Sequence, residues 1–532
     1  MAVTGLASNF RIRNARDFLD FVEEPNSGIY IFLGRTSEWP DEENPPPSVN
    51  TLNEILANWR DMNGIKKIAP LDIALGIREY VWTNGTVYVQ YADDVDLTDQ
   101  QFFVLTDQLN VYKCISNNNG GPSTVRPTHT TSDIPLQSDG YKWRYMFSTT
   151  SSVLRKFIVP GFFGFDPNTT SFPPTQPGTI DNVRVDASGS GYPANASVNT
   201  DTEIPVFIEG DGDQNSSATA TINTIQGEII SISSITSAGS NYPYAPESNI
   251  PVALRQFNDG LIQTAYGVAT TNPSGGIDSI QLVISGDGYT DGEVSIVQSS
   301  CRAYAETDIN GDIINADVPV GRSGVNFTRA KAIVVDVNGT GASLKPIISP
   351  LGGHGSDAAQ ELLANFVLIN LRLSGQEDFL GDNEFRRVGV LEGPAQFGSE
   401  SGGSESDGEY LDFNGDVGDT KYRLVLDSGD NTIFTSGEQI IGETSGAVGY
   451  EMNLYETDKL RVRLDNEYTG DTEFAVGETI TGLTSGATDV IASITDPDIE
   501  PYEGRILYIN NREVIETVSP QQIETITLVL EY

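Results

Sequence analysis

Gly140-Tyr141-Lys142-Trp143-Arg144-Tyr145-Met146-Phe147 is the stretch from which this 532-residue chain is best read. Aromatic rings recur at every second position, which is the period of a β-strand. Tyr141, Trp143, Tyr145 and Phe147 therefore share one face, and Lys142 and Arg144 lie opposite. Such a strand packs rather than reacts, so it is expected to be an amphipathic core or contact strand.

Upstream, Val111-Tyr112-Lys113-Cys114-Ile115 has the same strand character and is separated from the aromatic strand by a polar loop running to about Asp139. Asn84-Gly85, between Tyr80-Val81-Trp82 and Val87-Tyr88-Val89, predicts a β-hairpin over 78–91. Apolar residues at helical spacing predict a helix from Asn9 to Glu23 with a Ser8/Asn9 cap, followed by the strand Ile29-Tyr30-Ile31-Phe32-Leu33-Gly34. A second helix carrying Leu52, Ile55, Leu56 and Trp59 is expected to be capped by Ser48 or Asn50 and stopped by Gly64.

Downstream, the Pro-, Thr- and Asn-rich stretch 165–178 reads as a boundary. Beyond it, Gly189-Ser190-Gly191-Tyr192-Pro193, Gly239-Ser240-Asn241-Tyr242-Pro243 and Gly286-Asp287-Gly288-Tyr289 each follow an Ile- or Val-rich strand pattern. A weaker copy runs from Ile313 to Gly324. The recurrence marks duplicated β modules whose strands end in a tight turn covered by the tyrosine ring. A different duplication places Gly437-Glu438-Gln439-Ile440-Ile441-Gly442-Glu443-Thr444-Ser445-Gly446-Ala447 in parallel with Gly477-Glu478-Thr479-Ile480-Thr481-Gly482-Leu483-Thr484-Ser485-Gly486-Ala487. It predicts strand, turn and strand, in a small barrel or at a sandwich edge. Between the two repeat blocks, Ser356 is expected to cap a helix through Phe366, leading into the buried strand Val367 to Leu373.

The chain carries 31 basic and 74 acidic side chains, a net charge of −43. Of these, 14 basic and 19 acidic residues lie in the first 160, so the acidity belongs mainly to the later modules. Such a field repels nucleic acid and anionic membranes. Cys114 and Cys301 are far apart in sequence and form no disulfide framework or metal spacing, so both are expected to be reduced and buried. No secretory signal or membrane span is expected.

Four phrases in order resemble the dimeric baseplate wedge subunit of T4-like contractile-tailed phages. They are Ile29 to Trp39, which includes Gly34, Arg35 and Trp39; Gly140 to Phe147; Phe385-Arg386-Arg387-Val388-Gly389-Val390; and the tail Gly504 to Tyr532. The matching segments are about 1–160, 350–395 and 499–532, a little under half the chain. Both repeat blocks depart from the family pattern as insertions. The resemblance implies a structural virion protein of the tail baseplate, assembled in the host cytoplasm. It would form a homodimer inside each wedge and bridge other wedge proteins through the rearrangement that triggers sheath contraction. Gly34, Arg35, Trp39, Tyr141, Trp143, Tyr145, Phe147, Phe385 and Arg386 are its framework or interface candidates.

The expected fold is mainly β, an α+β framework with few helices, sandwich-like and interrupted by inserted β modules. Its segments are an N-terminal framework domain at 1–178, a Gly-x-Gly-Tyr repeat region at 179–345, a framework helix and strands at 346–395, an acidic β-repeat module at 396–498 and C-terminal framework strands at 499–532. Removal of 179–345 is expected to leave the framework folded.

Enzyme chemistry is not expected. Paired carboxylates could in principle hydrolyse glycosides, but only at a defined separation and with one raised pKa. His354, in Gly352-Gly353-His354-Gly355-Ser356-Asp357, superficially resembles a nucleophile or metal loop, yet no second histidine and no Gly-x-Ser-x-Gly accompany it. Asp211-Gly212-Asp213 and Asp308 to Asp312 offer closely spaced oxygens for calcium but do not fit the EF-hand loop. No cofactor, metal, nucleotide or small-molecule ligand is expected. The alternative to the wedge function is a glycan- or host-surface-binding adhesin using tyrosines at the turn tips.

Overall fold

The computed structural model describes residues 8–24, 28–165, 173–194, 203–242, 248–258, 260–374, 384–398, 415–452, 459–465, 472–516 and 523–532. Strands account for 49% and helices for 9%, which makes the fold mainly β. Four α-helices occur among the described residues: α1 (Ser8–Glu23), α2 (Leu52–Asp61), α3 (Ser151–Phe157) and α4 (Ala358–Glu361).

In α1, Ile12, Ala15, Leu19 and Val22 fall on one buried stripe. Thr51 rather than Ser48 or Asn50 caps α2, its hydroxyl accepting from the Glu54 N–H at 3.3 Å. Gly64 does not stop this helix. The backbone is already extended at Met62, and Gly64 lies inside the strand Met62–Lys67, opposite Leu33. Asp357, not Ser356, caps α4, which ends at Glu361; the following strand begins at Phe366.

The chain divides into two compact units, one made of Met1–Ile12 and Gly76–Asn365, the other of Arg13–Leu75 and Phe366–Tyr532. They cut across the five segments expected from the sequence.

In the first unit, the aromatic strand Tyr141–Ser148 forms one edge of a three-stranded sheet with Asn110–Asn117 and Phe103–Leu105. The hairpin expected over 78–91 does not form. Asn84-Gly85 does turn the chain, but its arms bond elsewhere: Trp82 N–H donates to Leu105 O at 2.9 Å, and Val89 N–H to Gln101 O at 3.0 Å. A sheet of Ile313–Asp317, Arg302–Thr307, Ile204–Gly210 and Ala330–Val334 shares a core with the pair Ile180–Ser190 and Thr340–Ile348. A six-stranded sheet spanning Gln214 to Ser299 encloses a second core, and its edge strands Glu228–Ser237 and Ile277–Ile284 touch.

The glycine-tyrosine repeats serve this packing. Tyr192, Tyr242 and Tyr289 are all buried, so they do not stand at the turn tips as the adhesin alternative requires. A Cβ on Gly239 or Gly286 would lie 2.8 Å from the ring of Tyr242 or Tyr289, so the glycine is what lets the ring close over the turn. The Tyr242 hydroxyl donates to Ile296 O at 2.9 Å and accepts from Ala218 N–H at 2.8 Å; that of Tyr289 donates to Leu254 O at 2.6 Å.

In the second unit, an antiparallel sheet runs in the order Val417–Asp419, Met62–Lys67, Ile29–Gly34, Glu384–Glu392, Arg505–Glu516. Phe366–Ser374 pairs with Ile523–Glu531. Six strands between Tyr422 and Thr495 close into a barrel around Leu424, Ile440, Leu460, Val462, Ile480 and Ile491. The two copies of the Gly-Glu-x-Ile-x-Gly unit are neighbours in it, with Ile440 opposite Gly482 and Gly442 opposite Ile480.

Candidate functional site

Three of the four framework phrases converge in the second unit. Gly34 ends its strand where a Cβ would lie 2.6 Å from Asp61 O, and the next N–H, of Arg35, donates to that oxygen at 2.9 Å. Close approach requires glycine there. The Arg35 guanidinium then lies 3.7 Å from the centre of the Trp39 ring. Trp39 is held at both ends: its backbone N–H donates to Glu42 at 2.6 Å, and its indole N–H to Arg512 O at 2.9 Å.

From the next strand, Arg386 donates to Glu42 at 2.7 Å, Thr36 O at 2.6 Å and Glu384 at 2.8 Å. Burial opposes its charge, but the Glu384 and Glu42 carboxylates prevail and raise its pKa. Arg387, 2% exposed, donates to Glu54 and Asn511, each at 2.8 Å. Burial depresses its pKa against the pull of Asp61 and Glu54. Phe385 is buried beside them. The tail thus contributes Asn511 and the Arg512 carbonyl to a knot that joins three segments remote in sequence. Arg387 lay inside a quoted phrase without being singled out, and Glu42 and Glu54 were not foreseen, since nothing local distinguishes them from the many other charged residues.

Tyr141, Trp143, Tyr145 and Phe147 belong to the first unit and do not join this knot. Tyr141 stacks on Trp143 at 5.5 Å, and Phe147 on Phe165 at 4.9 Å. The opposite face holds the larger surprise. Lys142 and Arg144 are 3% and 0% exposed, so both faces of the strand are interior. Lys142 donates to Asp317 and Val318 O, each at 2.6 Å, and Arg144 to Pro173 O at 2.9 Å and to Ser132 O. Alternation separates two faces but does not say whether either meets water.

Beside Arg144 in the sheet register is Lys113, whose ammonium meets the Glu361 carboxylate with both side chains closed from solvent. The glycine loop 352–355 delivers His354 to this pair. His354 Nδ1 lies 3.9 Å from Glu361 Oε2, and Nε2 lies 3.8 Å from Asp181. Burial, with Lys113 and Arg144 nearby, pushes the His354 pKa well below its ordinary value and keeps the ring neutral. Sequence spacing around His354 hid this group, because its partners come from 113, 181 and 361.

The barrel repeats hold a third polar arrangement, which is reciprocal. Glu438 accepts from Thr484 N–H at 2.8 Å, Ser485 N–H at 2.9 Å and the Ser485 hydroxyl at 2.7 Å. Glu478 accepts from Ser445 N–H at 2.9 Å and Thr444 N–H at 3.3 Å. Burial would raise both carboxyl pKa values, yet these hydrogen bonds hold them below the ordinary range. The duplicated Glu and Thr-Ser-Gly were visible in sequence as the signal of this exchange.

The calcium candidates spend their oxygens on the protein. Asp211 accepts from Thr328 N–H at 2.9 Å and Arg329 N–H at 3.1 Å, and Asp308 from the Asn310 and Asp312 N–H groups, each at 2.9 Å. Among the described residues, no group of three His, Cys, Asp or Glu is placed to hold a metal, and no helix is long and apolar enough to cross a membrane. Cys114 and Cys301 are free and buried. Eight of the nine framework candidates are buried in the chain, and Arg35 is half-buried. No protein-family model matches the chain, and no curated protein sequence matches it.

Proposed function

We propose that this chain is a structural subunit of a contractile-tail baseplate wedge, pairing with a second copy and bridging neighbouring wedge proteins. The observation that carries this reading is the knot around Trp39. Phrases that resemble the wedge family separately, at 29–39, 385–390 and 504–532, bond to one another through the Arg35 carbonyl, Arg386 and the Arg512 carbonyl. Segments that depart from the family, such as the barrel and the six-stranded module, close on cores of their own. A rigid frame carrying such modules suits a load-transmitting part. In this reading the protein performs no catalysis, and assembly and the baseplate rearrangement are its work.

The direct test is purification of particles and of assembly intermediates carrying a tagged copy. A wedge subunit co-purifies with other baseplate proteins at a fixed ratio of two copies per wedge. Binding of the isolated chain to cells, without such partners, would favour the adhesin alternative.

A further inference from the structure

Lys113 and Glu361 form a fully secluded ion pair in the first unit, at 0% and 1% side-chain exposure. Glu361 is held by its other oxygen: Oε1 accepts the Gly355 N–H at 2.7 Å and the Asp357 N–H at 3.3 Å. Two backbone donors thus polarise one carboxyl oxygen while Lys113 faces the other. His354 Nδ1 is buried and has no hydrogen-bond partner among the described residues, although it lies 3.9 Å from Oε2. Asp181 flanks the far ring nitrogen at 3.8 Å and is itself fixed by the Thr179 hydroxyl at 2.8 Å. The Tyr91 ring covers both, its centre 4.6 Å from Nζ and 5.1 Å from the imidazole. An amine, a carboxyl, two oxyanion donors and a buried imidazole with an acid behind it are the parts an acyl transfer uses.

We propose that Lys113 and Glu361 condense into an intramolecular isopeptide bond that locks the strand Asn110–Asn117 to α4. In this dry pocket the ammonium cedes a proton to Oε2, giving a neutral amine and a carboxylic acid. Burial depresses the Lys113 pKa and so favours the neutral amine. Nζ attacks Cδ, and the charge developing on Oε1 is met by the Gly355 and Asp357 N–H groups. His354 Nδ1 takes a second proton from Nζ and returns it to Oε2, which leaves as water. One C–N bond forms, one C–O bond breaks, and nothing is oxidised or reduced. Asp181 is a positioning residue for the imidazole. Condensation is unfavourable between free groups in water, but enforced proximity is worth an effective molarity of about 10⁵–10⁸ M.

Denatured intact-mass measurement of the full wild-type chain, with tryptic mapping, tests this directly. The expected result is a loss of one water, with a branched peptide joining the Lys113 and Glu361 segments. Lys113→Arg and Glu361→Ala each restore the sequence mass. His354→Gln slows the appearance of the branched peptide in newly synthesised, pulse-labelled chain by about 100-fold or more. A full sequence mass in the wild-type chain, or a water loss without the branched peptide, overturns the proposal whether or not the variants fold. An unchanged rate in His354→Gln contradicts the proton route.

Discussion

Glu438 and Glu478 each tie down the Thr-Ser turn of the opposite repeat, so their removal strands buried donors as well as deleting charge-assisted bonds. Glu438→Ala and Glu478→Ala should each cost about 3 kcal/mol of barrel stability, and near-equal losses are expected from the symmetry of the exchange. Chemical denaturation of both variants checks this. Because both carboxyls titrate lower when folded, the unfolded chain binds more protons as pH falls below the ordinary value of about 4.5. Their stabilisation is present above that pH and is lost on descent through the folded pKa. Urea midpoints between pH 7 and 3 should fall less in the double Gln variant than in the wild type. Tyr242→Phe keeps the ring over Gly239 but leaves Ala218 N–H and Ile296 O without the hydroxyl, at about 1–3 kcal/mol. For Trp39→Ala the expected loss is about 3–5 kcal/mol, since ring burial disappears along with the bond to Arg512 O. A Trp39→Ala variant as stable as the wild type would remove the knot from the account of the frame. Single residues were legible mainly where repetition exposed them. Lys142 and Arg144 were not, because the oxygens that bury them belong to chain as distant as Asp317 and Pro173.

Elements were more legible than their partners. The aromatic strand, the strand Ile29–Gly34 and α1 form where spacing predicts them, although the stripe of α1 runs through Ile12, Ala15, Leu19 and Val22 and leaves Phe10, which the spacing includes, exposed. Asn84-Gly85 turns as expected, yet its arms take bonds from 101–105, a pairing that no local signal announces. The period of the 437 and 477 repeats was readable; their closure into a barrel was set by pairings such as Arg423 to Arg461 and Leu424 to Ile494. The barrel also starts and finishes at one point, where Asp498 N–H donates to Asp419 O at 2.8 Å and Asp419 N–H returns to the Asp498 carboxylate at 2.7 Å. Residues 417–498 expressed alone should therefore fold, with a single cooperative transition by circular dichroism. A flat melt with no dispersion of amide NMR signals would show that the barrel depends on the rest of its unit.

Across the whole molecule, a module can be recognised by where its ends meet. Ser300 N–H donates to Asp213 O at 2.9 Å, so the six-stranded module between them leaves and returns at one place. Removing all of 179–345 would strand the buried Lys142 ammonium, whose acceptors Asp181 O, Asp317 and Val318 O lie inside that span. Excising 214–299 with a short glycine bridge spares them, and the remaining chain should keep a cooperative thermal transition despite the newly exposed Phe207 and Val335. The net charge of −43 suits a part that must stay soluble until it meets specific neighbours. Location in the particle is the claim on which the functional account rests. Electron cryomicroscopy of the intact virion is the most direct measurement of it. Paired copies of this chain are expected in every wedge of the baseplate, with the Trp39 knot inside the frame; density for the chain only on peripheral fibres, or none in the particle, would overturn the wedge assignment.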